Sequence, residues 1–106
     1  MNEAQEIMGA VTLKLSAPIQ AHKEELTELT IRRPTPKECR SIGAMPYTID
    51  GAGMPKADPT AASEYIVLCA GIPMSSVDQL ALHDFNKAIW VLIGFFAKSA
   101  AEASAS

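Results

Sequence analysis

The chain has 106 residues, 48% of them hydrophobic, a formal net charge of −3 and two cysteines. That length sets one domain over residues 1–106 with a small core, and domains of this size bury a limited share of their surface and gain from a partner or self-association. The mild acidic balance excludes the basic face that nucleic acid requires, and the longest apolar run, the ten residues Ala88–Ala97, falls well short of the about 20 that a membrane-spanning helix needs.

Residues 1–9 carry Glu3 and Glu6 and lack the basic-then-apolar order of a secretory leader. They read as a disordered or weakly helical lead-in. Without a leader, Cys39 and Cys69 are expected as reduced thiols in a cytoplasm. A strand follows from Val11 to Ile19, with Val11, Leu13 and Leu15 on one face. Ala21-His22-Lys23 is the expected hairpin turn, because histidine tolerates positive φ better than most residues.

The returning strand alternates Leu29 and Ile31 with Thr30 and Arg32. Pro34 ends it, since proline donates no ladder hydrogen bond. The buried hairpin face is expected to be Val11, Leu13, Leu15, Leu29 and Ile31. Thr35, Pro36 and Glu38 then read as N-cap, first helical residue and capping-box partner. That first helix should end at Ile42-Gly43. Arg32, Arg33, Lys37 and Arg40 are interleaved with Glu24, Glu25, Glu28 and Glu38, the pattern of a solvated mixed-charge face.

Residues 44–58 hold Pro46, Gly51, Gly53 and Pro55 and read as a loop or partly mobile excursion, in which Tyr47–Gly51 could pair briefly as a strand. Asp58 and Pro59 open a second helix to Ala70. Its apolar face is Ala62, Tyr65, Ile66, Cys69 and Ile72, and Gly71 and Pro73 stop it. Ser75 or Ser76 should cap a short helix through Leu80. The last helix runs from His83 to about Lys98, and Ser99–Ser106 is too poor in apolar residues to dock.

On that last helix Phe85, Ala88, Ile89, Leu92, Phe95 and Phe96 form one stripe at helical spacing. Trp90, Val91 and Ile93 fall off it. A helix apolar nearly all round is either central to a core or shared with another chain. In so small a domain the shared face is the better reading. The fold class is therefore α+β, an N-terminal β-hairpin followed by three or four α-helices.

Catalytic chemistry finds no foothold. His22 and His83 have no metal-ligand spacing, and Asp78 and Asp84 are placed by helix dipoles. Ser75-Ser76 has no accompanying base, and Gly51-Ala52-Gly53 lacks the context of a phosphate loop. No catalytic, cofactor or metal site is expected, and no enzyme.

Two runs carry a resemblance. Ser16-Ala17-Pro18-Ile19 and then Glu28–Thr35 form the first; Cys69–Pro73, Val77–Leu80 and His83-Asp84-Phe85 form the second. In this order they resemble phage tail assembly chaperones, the tail protein E family of contractile-tailed temperate phages. The resemblance implies a protein that works in the cytoplasm of the infected or lysogenic bacterium, binds the tape measure protein during tail morphogenesis, and is absent from the mature virion. The surface expected to bind that partner is Trp90, Ile93, Phe95 and Phe96, with self-association hiding it in the isolated protein. The alternative is a small oligomeric structural subunit of the tail.

Overall fold

The alternating segments pair as expected. The computed structural model describes residues 10–97, and the expectations for 1–9 and 99–106 lie outside the described residues. Strand β1 (Ala10–Ala21) runs antiparallel to β2 (Glu24–Arg32). His22 and Lys23 join them with φ of 53° and 66°, the positive sign that two-residue hairpin turns demand. The His22 ring nitrogen Nε2 lies 3.0 Å from the carbonyl oxygen of Gly71, which anchors the turn to the body of the protein.

The register runs from Ala10↔Arg32 to Lys14↔Glu28 and resumes at Ile19↔Leu26. Residues 15–18 of β1 thus face residue 27 alone, and the strand bulges. This bulge corrects the expected inner face. Leu29 and Ile31 are buried, but Val11, Leu13 and Leu15 are only half-buried, and Ile19 and Ala21 carry the buried part of β1. The reason is coverage: polar groups from the later helices grip β1 at Ser16 and Gln20, near its turn end.

Helix α1 (Pro36–Ile42) starts at the capping box of Thr35 and Glu38 and stops at Gly43, whose φ of 83° is left-handed. In residues 44–58 the brief strand allowed for at Tyr47–Gly51 forms, and it finds a partner in the same segment. The two make a second antiparallel hairpin, β3 (Tyr47–Ile49) with β4 (Pro55–Ala57). Asp50 makes the turn, its Oδ1 accepting from the amides of Ala52 and Met54, each at 2.9 Å. The Asp58 amide donates to the Pro46 carbonyl at 2.9 Å and closes the base.

Helix α2 (Pro59–Ala70) is capped by Asp58 and ended by Gly71, and its buried side holds Tyr65, Ile66 and Cys69 as its spacing predicts. Helix α3 (Met74–Val77) is shorter than expected and has no side-chain cap. Ser76, buried, turns its hydroxyl the other way and donates to the Gln20 carbonyl at 2.5 Å. Helix α4 (Leu82–Ala97) closes the fold. The core joins Ile19, Leu29 and Ile31 of the hairpin to Tyr65 and Ile66 of α2 and to Ala88, Ile89, Leu92 and Ile93 of α4.

Candidate functional site

Four segments converge at the C-terminal end of α4. The β2–α1 junction supplies Arg33, Pro34, Thr35 and Pro36; α1 supplies Cys39; the following loop supplies Met45; and α4 supplies Phe95 and Phe96. Together they line an open cleft of about 400 Å³. Pro34 and Pro36 hold the junction rigid, since their φ is fixed by the ring.

Glu38 locks the junction further. It accepts from the Thr35 amide at 3.0 Å and receives both Arg32 terminal nitrogens, at 2.8 and 2.6 Å. The Arg32 hydrogen bonds, followed by the Thr35 amide, hold the Glu38 carboxyl down at a pKa of about 2. The same pair raises the Arg32 guanidinium above its ordinary value.

Phe96 is set between two tyrosines in edge-to-face contact, its centroid 6.0 Å from Tyr47 and 5.6 Å from Tyr65. The Tyr65 hydroxyl donates to the Ala44 carbonyl at 2.5 Å, and burial, then the neighbouring Cys39 thiol, pushes its pKa well up. Phe95 lies under Arg33, whose guanidinium carbon is 5.2 Å from the ring centroid. Arg33 also donates to the Phe95 carbonyl at 3.0 Å. Arg33 is therefore half-buried against α4 and not part of a solvated mixed-charge face.

The four residues expected to bind a partner separate. Phe95 and Phe96 meet at the cleft, both half-buried. Trp90 is 46% exposed, on the outer side of α4 with Gly94 and Ala97. A Cβ built on Gly94 would meet nothing within 4 Å, so packing within this chain does not call for glycine there. Ile93 is only 6% exposed and belongs to the core. The buried side of α4 is broader than the stripe read from spacing, because both β1 and α2 pack on it.

Spacing also missed Arg33, Pro34, Cys39 and Met45 as cleft residues. Their signals are those of a strand end and a helix start, and only tertiary folding brings α4 beside them. Asp84 differs in another way. It is 2% exposed, and its Oδ2 accepts from the Ser16 amide at 2.9 Å and the Ser16 hydroxyl at 3.0 Å. It pins the β1 bulge rather than merely meeting a helix dipole.

The thiols of Cys39 and Cys69 are both free. Burial raises the Cys69 thiol to about 11. Among the described residues no cluster of His, Cys, Asp and Glu could hold a metal ion, and no helix is long and apolar enough to cross a membrane. The arrangement offers apolar surface with one cation, Arg33, in its wall, which suits polypeptide binding.

Against known proteins, the model of one family, described as phage tail assembly chaperone proteins, E, or 41 or 14, matches residues 12–97. No curated protein and no solved structure matches the chain.

Proposed function

The chain belongs to the phage tail assembly chaperones, and from that premise we propose that it binds the tape measure protein during tail morphogenesis through the C-terminal half of α4. The cleft beside Phe95 and Phe96 carries this reading. It is apolar, open, and built on rigid elements that leave it unfilled from within this chain's described residues. A long helical protein awaiting its tube exposes apolar stripes, and covering them prevents aggregation. Trp90 and the bare Gly94 surface extend the same contact along the outside of α4, where a small residue admits a close helix. Ile93 supports Trp90 and Phe96 from the core side. The protein acts by binding, with no bond made or broken, in the cytoplasm of the infected cell, and it leaves before the virion is complete.

Co-expression with the tape measure protein tests this. Phe95→Ala with Trp90→Asp should abolish co-purification while the chain keeps its circular dichroism. Retention of full binding by that folded variant overturns the assignment. Mature particles that hold the protein stoichiometrically would favour a structural subunit. Self-association rests on the same exposed face: sedimentation at micromolar concentration should give an oligomer that Trp90→Asp dissociates, and a clean monomer sinks that part.

A further inference from the structure

We propose that two copies of this chain pair along the outer edge of β2, antiparallel and centred on Thr30. The first question is which backbone groups face outward there. Leu29 is 2% and Ile31 0% exposed, and buried backbone groups are almost always hydrogen-bonded. Among the described residues, no backbone hydrogen bond outside the hairpin reaches residues 24–32. The amides and carbonyls of Leu29 and Ile31 are therefore engaged by their β1 partners, Leu13 and Val11. In an antiparallel ladder every second residue points these groups away from the partner strand. Here those residues are Glu28, Thr30 and Arg32, and all three are exposed.

A second β2 meets this edge in one register. With Thr30 opposite Thr30, Glu28 of each copy lies opposite Arg32 of the other, and all three outward residues pair. That gives about six N–H···O bonds. Strand pairing slips by two residues at a time if each side chain is to keep its face. A slip of two sets Glu28 or Arg32 against Thr30 and loses both ion pairs. A slip of four sets Glu28 on Glu28 or Arg32 on Arg32, and like charges directly opposite each other repel.

The solvent face of the hairpin extends the same pattern. Thr12 and Thr30 already join their hydroxyls at 2.9 Å, so the paired copies carry a row of four threonines. Exposed Lys14 lies opposite Glu28 within one hairpin, and Arg32 is bonded to Glu38. Across the pair the row reads Lys14, Glu28, Arg32 and Glu38, alternating in sign. The Arg32 side chain is 45% exposed with Glu38 in place, which leaves room for a second carboxylate. An acidic strand or a basic strand would meet like charge somewhere along this edge. An antiparallel copy of β2 meets opposite charge at both ends, and that favours a second copy over a foreign strand. The pairing is isologous, so it closes at two chains. It shares no residue with α4 and does not depend on the function proposed above.

Amide exchange read by NMR, together with sedimentation, tests the pairing in the full chain carrying Trp90→Asp. That change removes the α4 contact, so it should reduce the oligomer to a dimer rather than to a monomer. An edge covered nine-tenths of the time exchanges about tenfold more slowly. The amides of Glu28, Thr30 and Arg32 should slow by about that factor between dilute and concentrated samples. Glu25 is the control. Gln20, its partner, turns its backbone out to Gln79 and Ser76, so the Glu25 amide also faces outward, but it lies beyond the paired stretch and should exchange alike in both samples. Glu28→Arg sets like charges opposite each other and should weaken the dimer about tenfold or more, with Leu29 and Ile31 still protected. Should that variant unfold, Glu28→Gln decides, and it should weaken the dimer to a smaller extent. A Trp90→Asp chain that is monomeric at every concentration overturns the proposal, as does a dimer in which the three amides exchange freely. Protection that appears only when the tape measure protein is added means that a foreign strand fills the edge, and overturns it too.

Discussion

The two ends of α4 solve opposite problems. At its start, Asp84 is buried and takes two hydrogen bonds from Ser16, while Ser76 and Gln79 nearby bond the backbone of Gln20. Most polar groups there are matched within the chain; of the Asp84 carboxylate, Oδ2 takes both bonds and Oδ1 is buried without a hydrogen-bond partner among the described residues. At its end, Phe95 and Phe96 stand at an open cleft and Trp90 projects outward. A buried polar group left unmatched is costly, so the first end is bonded largely within the chain, with Asp84 Oδ1 the exception among the described residues. An apolar surface left open costs less and remains available, which is why the second end is the one suited to a partner.

Mutation can sharpen that contrast. The largest effect belongs to the core between the ends: Leu92→Ala, at a fully buried site, should cost about 2–5 kcal/mol by denaturant unfolding. A cost below about 0.5 kcal/mol, typical of surface sites, would contradict the packing. Asp84→Ala comes next. It strands the Ser16 amide and should cost about 1–3 kcal/mol, with Asp84→Asn milder because an acceptor remains.

Glu38→Ala should cost about 1–2 kcal/mol, combining a lost cap with an exposed ion pair of modest worth. The Glu38 pKa falls from an ordinary 4.5 to about 2 on folding. Its contribution is therefore complete above about pH 4.5 and disappears as acid titrates the carboxylate down towards 2. Acid unfolding of the wild type should show that loss, and the Glu38→Ala variant should lack it. The smallest effect has the opposite sign. Gly94→Ala should stabilise the protein by about 0.5–1 kcal/mol, since helical glycine is unfavourable and space is open around it. The same change should weaken tape measure binding, if that surface admits a close helix. Stabilisation without any loss of binding would remove Gly94 from the contact.

Local signals made most of the fold legible. Thr35-Pro36 with Glu38, Asp58-Pro59, Gly43 and Gly71 mark helix ends through contacts within a few residues, and each stands where the sequence places it. The positive φ of His22 was readable for the same reason. The bulge was not, because it depends on Asp84, sixty-eight positions from Ser16 in sequence. Of the hairpin at residues 47–57, the strand at Tyr47 was readable, whereas its partner, Pro55–Ala57, was hidden among glycines and prolines that equally suit a loop. Of the candidate site, Trp90 was visible as apolar surface off the stripe, and Phe95 and Phe96 as the end of the stripe itself. Ile93 was misplaced because helical spacing cannot tell how many elements will pack on a helix, and Arg33 because only the fold brings it over Phe95.

The bulge in β1 also decides how other chains cannot approach. A two-stranded sheet leaves an outer edge on each strand, and a twelve-residue edge strand invites another β-strand to add on. Here that edge is closed over its turn-proximal part, Ser16 to Gln20. The Ser16 amide is held by Asp84, both backbone groups of Gln20 are taken by Ser76 and Gln79, and Pro18 has no amide to offer. Strand addition along Ser16–Gln20 of β1 is thereby blocked, and with it one route to fibrous aggregation.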